Sequence, residues 1–136
     1  MSKLQADLTF GIWNETKMKP ILEKFFNENL TKTFSKYDAH DFMNENKKKK
    51  FELKSRRIVH NQYPTAIVNA SKIRKQDPNV FHTYVWNYTD GLYYLPYDKD
   101  IWKNFTIRPM RVERDGRVEI EDVIDVPHTY LRPISV

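Results

Sequence analysis

The stretch Phe51-Glu52-Leu53-Lys54, with Asp41-Phe42 upstream, decides how this chain is read. Successive side chains of a β-strand point to opposite faces. Phe51 and Leu53 therefore share a face suited to a core, and Glu52 and Lys54 share the other. The alternation runs from Phe51 to Arg57. An adjacent strand carrying Asp41 brings two carboxylates and an ammonium into one small volume. Two carboxylates offer hard oxygen ligands to a divalent cation such as Mg²⁺ or Mn²⁺. A bound cation of this kind acts as a Lewis acid and helps generate hydroxide from water. The lysine stabilises charge on the transition state or orients the attacking water. The grouping suits phosphodiester hydrolysis.

Upstream, Met18, Ile21, Leu22, Phe25 and Phe26 recur at i, i+3, i+4, i+7 and i+8, which predicts a helix from Ile12 to about Asn27 with one buried face. Asn14 suits its N-cap, and Pro20 projects opposite the apolar stripe, as a kink or a restart. Glu15 falls at the edge of the stripe, one turn before Met18, while Glu23 faces water. An acid facing a core edge needs a partner; Glu15 is a candidate for a second metal site or a first-turn acid on the helix dipole. Strands are expected at Leu30–Ser35 and Tyr37–Met43, and a polar turn at Asn44–Lys50.

Downstream, Tyr63-Pro64-Thr65 reads as a helix entry, and Ile67, Ala70 and Ile73 continue it at helical spacing to about Gln76, before Asp77-Pro78-Asn79. Val80–Tyr88 is a strand rich in β-branched and aromatic residues. Thr89-Asp90-Gly91 turns it into Leu92–Tyr97. A second hairpin joins Thr106–Val112 to Val118–Val126 through Asp115-Gly116. These elements predict an α/β domain with a mixed central sheet. It is a single domain over 1–136, with a core at about 12–97 and a C-terminal β-hairpin extension at about 98–136.

A helix glutamate, then Asp, then Glu-x-Lys, in this strand order, resembles the PD-(D/E)XK nuclease superfamily. Its restriction-endonuclease-like α-β-β-β-α-β core corresponds to residues 12–88. The resemblance implies that Asp41 and Glu52 bind the metal together with the backbone carbonyl of Leu53. It implies that Lys54 takes part in catalysis and that Glu15 completes the site. His40 stands where the family commonly has proline before the aspartate. Asp38 competes with Asp41, but three residues apart they face opposite sides of a regular strand. Asp41 is preferred because Phe42 follows it, as is usual in the family. The resemblance also allows a homodimer.

Composition bounds the alternatives. The chain has 136 residues, 40% hydrophobic and 14% aromatic, enough for a folded core. It has no cysteine, which excludes disulfides, thiolate metal sites and cysteine nucleophiles. The N-terminal sequence lacks a signal-peptide apolar run, and no stretch approaches the roughly 20 apolar residues of a membrane span. An intracellular, soluble protein with no membrane partner is expected. Net charge is +5, and residues 47–57 carry seven positive charges and one negative. Lys47–Lys50 reads as a solvated hairpin tip. Lys50, Arg56, Arg57 and Lys72 are candidates for phosphate contacts that carry no sequence information.

His40, His60, His82 and His128 lack the spacing of a zinc site. Tyr84, Trp86, Tyr88, Tyr93, Tyr94 and Tyr97 suit a core and its margin, or a base-stacking platform. The leading expectation is Mg²⁺- or Mn²⁺-dependent hydrolysis of nucleic acid, DNA ahead of RNA. The alternatives are a non-catalytic nucleic-acid-binding protein on the same fold and a structural interaction protein.

Overall fold

The computed structural model describes residues 17–33 and 42–135. Glu15, Asp38, His40 and Asp41, the helix before Lys17 and the strand segments within 34–41 lie outside the described residues. The described helix, α1 (17–26), includes Pro20, which is exposed. The apolar stripe is the one its spacing predicts: Leu22 is fully buried, and Met18, Ile21, Phe25 and Phe26 pack around it.

Six strands form a large sheet: β1 (Leu30–Lys32), β2 (Phe42–Asn44), β3 (Lys49–Ser55), β5 (Phe81–Tyr88), β6 (Gly91–Pro96) and β9 (Arg132–Pro133), hydrogen-bonded in that order. The β3–β5 pair is parallel, and the other pairs are antiparallel. The sheet is therefore mixed. A parallel neighbour requires a long crossover. Here the crossover contains β4 (Thr65–Asn69) and α2 (Ala70–Arg74). A second sheet of three strands runs β4, β8 (Arg117–Pro127), β7 (Thr106–Arg114).

Alternation along the large sheet supplies two cores. Phe51 and Leu53 of β3, Val85 of β5 and Leu92 of β6 face α1, where Phe26 meets Phe51 at 4.8 Å between ring centroids. Tyr84, Trp86 and Leu95 face the opposite side and pack on Ala66 and Val68 of β4 and Ile124 and Val126 of β8. Tyr84, Trp86 and Tyr88 are thus core residues, which removes them from an open stacking platform.

The helix expected from Thr65 to Gln76 is corrected. Its first half is β4, paired antiparallel with β8 from Thr65↔Pro127 to Asn69↔Val123, and only Ala70–Arg74 is helical. The β-branched Thr65, Ile67 and Val68 favour extended backbone. Their period-two burial, with Ala66 and Val68 inward, matches β8. Ile67, Ala70 and Ile73 mimic helical spacing because a strand hands over to a helical turn at Asn69, whose side chain accepts from Ser71 N at 2.9 Å.

The tail hairpin turns at Asp115 and Gly116, both at positive φ, as a two-residue primed turn requires. β4 ties it to the crossover through β8. A short helix, α3 (Lys99–Trp102), was not foreseen. Asp98 caps it, accepting from Asp100 N at 2.9 Å, and Trp102 enters the core while its indole N–H donates to Pro96 O at 3.0 Å. Among the described residues no helix is long and apolar enough to cross a membrane.

If Thr65–Asn69 is a strand, alternate truncations differ. Val68→Ala, at a fully buried position, should cost about 2 kcal/mol in urea unfolding, and Ile67→Ala less than half of that. Equal losses would count against the strand.

Candidate functional site

β3 fixes the direction of Glu52 and Lys54. With Phe51 and Leu53 held against α1, Glu52 and Lys54 point to the α2 side of the sheet. The parallel register sets Glu52 beside Tyr84 and Lys54 beside Trp86. Glu52 is only 2% exposed. A carboxylate so placed needs compensation. The ammonium of Lys72, on α2, forms an ion pair with Glu52 Oε1. The other oxygen, Oε2, is buried and has no hydrogen-bond partner among the described residues.

Lys72 is held over Glu52 by the way α2 is anchored. Asn69 caps the helix and donates its amide to Glu121 Oε2 at 2.8 Å, and Arg74 reaches Asp122 Oδ2 at 3.3 Å. The crossover helix is thereby clamped to β8. Gln76, just past α2, donates to the Tyr84 hydroxyl at 2.8 Å. Burial raises the Tyr84 phenol well above its ordinary value, so it stays neutral beside Glu52.

Lys50, Glu52 and Lys54 lie two apart and line one face of β3. Lys50 is half-buried, in register with His82. Lys54 is half-buried and already engaged with neighbouring groups. Arg56 and Arg57 are exposed at the end of the strand, where Arg56 N donates to Asn87 O at 2.9 Å and so continues the ladder. Lys72, which the sequence suggests as a phosphate contact, forms an ion pair with Glu52. Glu15 and Asp41 lie outside the described residues. Among the described residues, no group of three His, Asp or Glu side chains is placed to hold a metal ion.

Two further polar clusters emerge only in three dimensions. Asn44 Oδ1 accepts from Lys48 N at 3.1 Å and Lys49 N at 3.0 Å, shaping the turn before β3, while Lys49 pairs with Glu28 at 2.7 Å. Hydrogen bonds from Lys49 and Asn44 hold the Glu28 carboxyl below its ordinary range. On the opposite edge, His60 Nδ1 meets Asp90 Oδ2 at 2.5 Å and stacks on Tyr93. That contact lowers the Asp90 pKa. Neither cluster carries a local sequence signal, because its members come from separate turns and strands.

No protein-family model, curated protein or solved structure matches the chain.

Removing Lys72 should leave the buried Glu52 carboxyl without its partner. Lys72→Met is expected to destabilise by about 2–3 kcal/mol, less than for a fully enclosed pair because Lys72 stays partly exposed. Glu52→Gln in the same chain should recover most of that loss. A double variant as unstable as the single one would refute the pairing.

His82 gives a pH test. Burial lowers its pKa below 6.5, opposed by the Asp77 carbonyl and reinforced by Lys50. As pH falls below about 6.5 the unfolded chain takes up the proton first, so stability declines there and is flat above. His82→Gln should flatten the decline in stability as pH falls below about 6.5. An unchanged slope would exclude this ring as the source.

Proposed function

We propose that this protein is a divalent-metal-dependent phosphodiesterase acting on nucleic acid, of the PD-(D/E)XK type, with DNA ahead of RNA as substrate. One observation carries the reading: Glu52 Oε2 is buried on the Lys54 face with no partner among the described residues. Leaving a carboxylate oxygen dry and unpaired is costly, and a hard cation is the partner that its chemistry suits. Element order supports it too. A helix, three strands, a crossover and a parallel strand follow one another, with β4 as an addition to the α-β-β-β-α-β scheme.

The residues would divide the work as follows. Asp41, Glu52 and the Leu53 carbonyl would hold Mg²⁺ or Mn²⁺, with Glu15 completing the set. When bound, the ion supplies Lewis acidity and lowers the pKa of water. Lys72 fixes the carboxylate through Oε1, leaving Oε2 for the metal. Lys54 places a positive charge where the phosphoryl group gathers negative charge. Arg56, Arg57 and Lys50 draw the phosphate backbone to this strand, with an affinity that falls as salt rises.

Nucleic-acid binding without hydrolysis is the second reading. It is favoured by the same ion pair, since Lys72 already balances the Glu52 charge. Cleavage of single- and double-stranded DNA and RNA in Mg²⁺, Mn²⁺ or EDTA separates the two. Hydrolysis should require metal and fall by about 100- to 1,000-fold in Lys54→Ala and Glu52→Gln. Salt-sensitive binding with no cleavage in any metal would establish the second reading. Metal-independent cleavage, or variants as active as the parent, would sink the first.

A further inference from the structure

A cavity of about 220 Å³ opens at the carboxyl end of β3, past Lys54 on the same face. Its walls are mainly apolar, Ile58, Ala66, Ile67 and Met110, backed by Trp86 and Tyr88 of β5, which are 1% and 7% exposed. Its mouth carries two exposed residues, Tyr63, at 58%, and Arg56. The volume is below the roughly 300–1,000 Å³ of pockets that enclose drug-sized ligands. A single planar ring system fits that limit.

We propose that this cavity receives one unstacked nucleobase, with its phosphate on Arg56, next to the strand that carries Glu52 and Lys54. The proposal rests on the nucleic-acid reading above and names the part of the substrate that this face holds. Aromatic rings accept any base because every base has a stacking surface. Buried Trp86 and Tyr88 close off the back of the cavity, and exposed Tyr63 at the rim supplies the open ring face on which a base stacks. Arg56 makes no salt bridge with the described residues. Its guanidinium fork matches phosphate oxygens. Trp86 is the register partner of Lys54. A base in this cavity therefore brings its own phosphodiester toward that lysine. Extruding a base costs least in a single strand, so single-stranded or distorted substrates are favoured.

The test uses the full chain in EDTA, so that neither metal nor cleavage enters. Nucleoside 5′-monophosphates should quench tryptophan fluorescence in a saturable way, and all four bases should do so within a few-fold of one another. Ribose 5-phosphate, with phosphate but no base, should neither quench nor compete. Arg56→Ala and Tyr63→Ala, both at exposed positions, should each weaken binding by about tenfold with unchanged melting temperature. No saturable quenching at millimolar nucleotide, full competition by ribose 5-phosphate, or equal binding by both variants would overturn the proposal. A failure here would leave metal-dependent cleavage standing, and failure to cleave would leave nucleotide binding standing.

Discussion

Glu52 is a charged group in the middle of a central strand, on a face that the rest of the molecule covers. It is only 2% exposed, and a carboxylate so enclosed needs compensation. Lys72 provides it through Oε1. That one pairing constrains the crossover, because the helix carrying Lys72 must sit over β3 and β5 at the correct height. The clamps from Asn69 to Glu121 and from Arg74 to Asp122 meet the requirement from outside, by tying α2 to β8. The small sheet is thus a support for the ion pair, and the tail hairpin that completes it is part of the architecture of the site.

The same constraint accounts for β4. A crossover between parallel strands is usually a helix that covers the sheet. Here the covering layer is shared: a strand supplies Ala66 and Val68 to the core, and a single helical turn supplies Lys72. Five helical residues cannot bury a sheet face of this width. Ile124 and Val126 of β8, with Trp102 from α3 and Phe105 just after it, fill what a longer helix would have covered.

What could be read in the sequence was what depends on neighbours along the chain. The α1 stripe, the Asp115-Gly116 turn and the alternation of Phe51, Glu52, Leu53 and Lys54 are local patterns with a local cause. The strand at Thr65–Asn69 carries no decisive local signal, because its identity is decided by β8, some sixty residues on. Lys72 is a similar case. Its charge was visible and its partner was not, since only the β3–β5 crossover brings residues 52 and 72 together. Trp102 sits in a segment with no periodic signal, and its burial follows from one cap and one indole hydrogen bond. Asp41 and Glu15, the other two expected carboxylates, lie outside the described residues.

The basic run 47–57 takes on a different meaning once it is seen as one strand and its approaches. At the amino end, Lys49 is committed to Glu28 at 2.7 Å, and the turn at 45–48 is shaped by Asn44. Those charges serve the fold. At the carboxyl end, Arg56 and Arg57 stand exposed beside the end of β5. Open sheets with parallel strands place ligands beyond the carboxyl ends of those strands, where crossovers leave a crevice. β3 and β5 are a parallel pair, and the cavity bordered by Arg56 and Tyr63 lies at their carboxyl ends. Positive charge, an opening and a buried carboxylate thus follow in sequence along one strand, from exposed Arg56 through half-buried Lys54 to enclosed Glu52. An anionic polymer approaching along that gradient meets its attractive charges first and the dry oxygen last. Under the proposed function, that ordering has the substrate's phosphate captured at the rim before any group reaches Glu52.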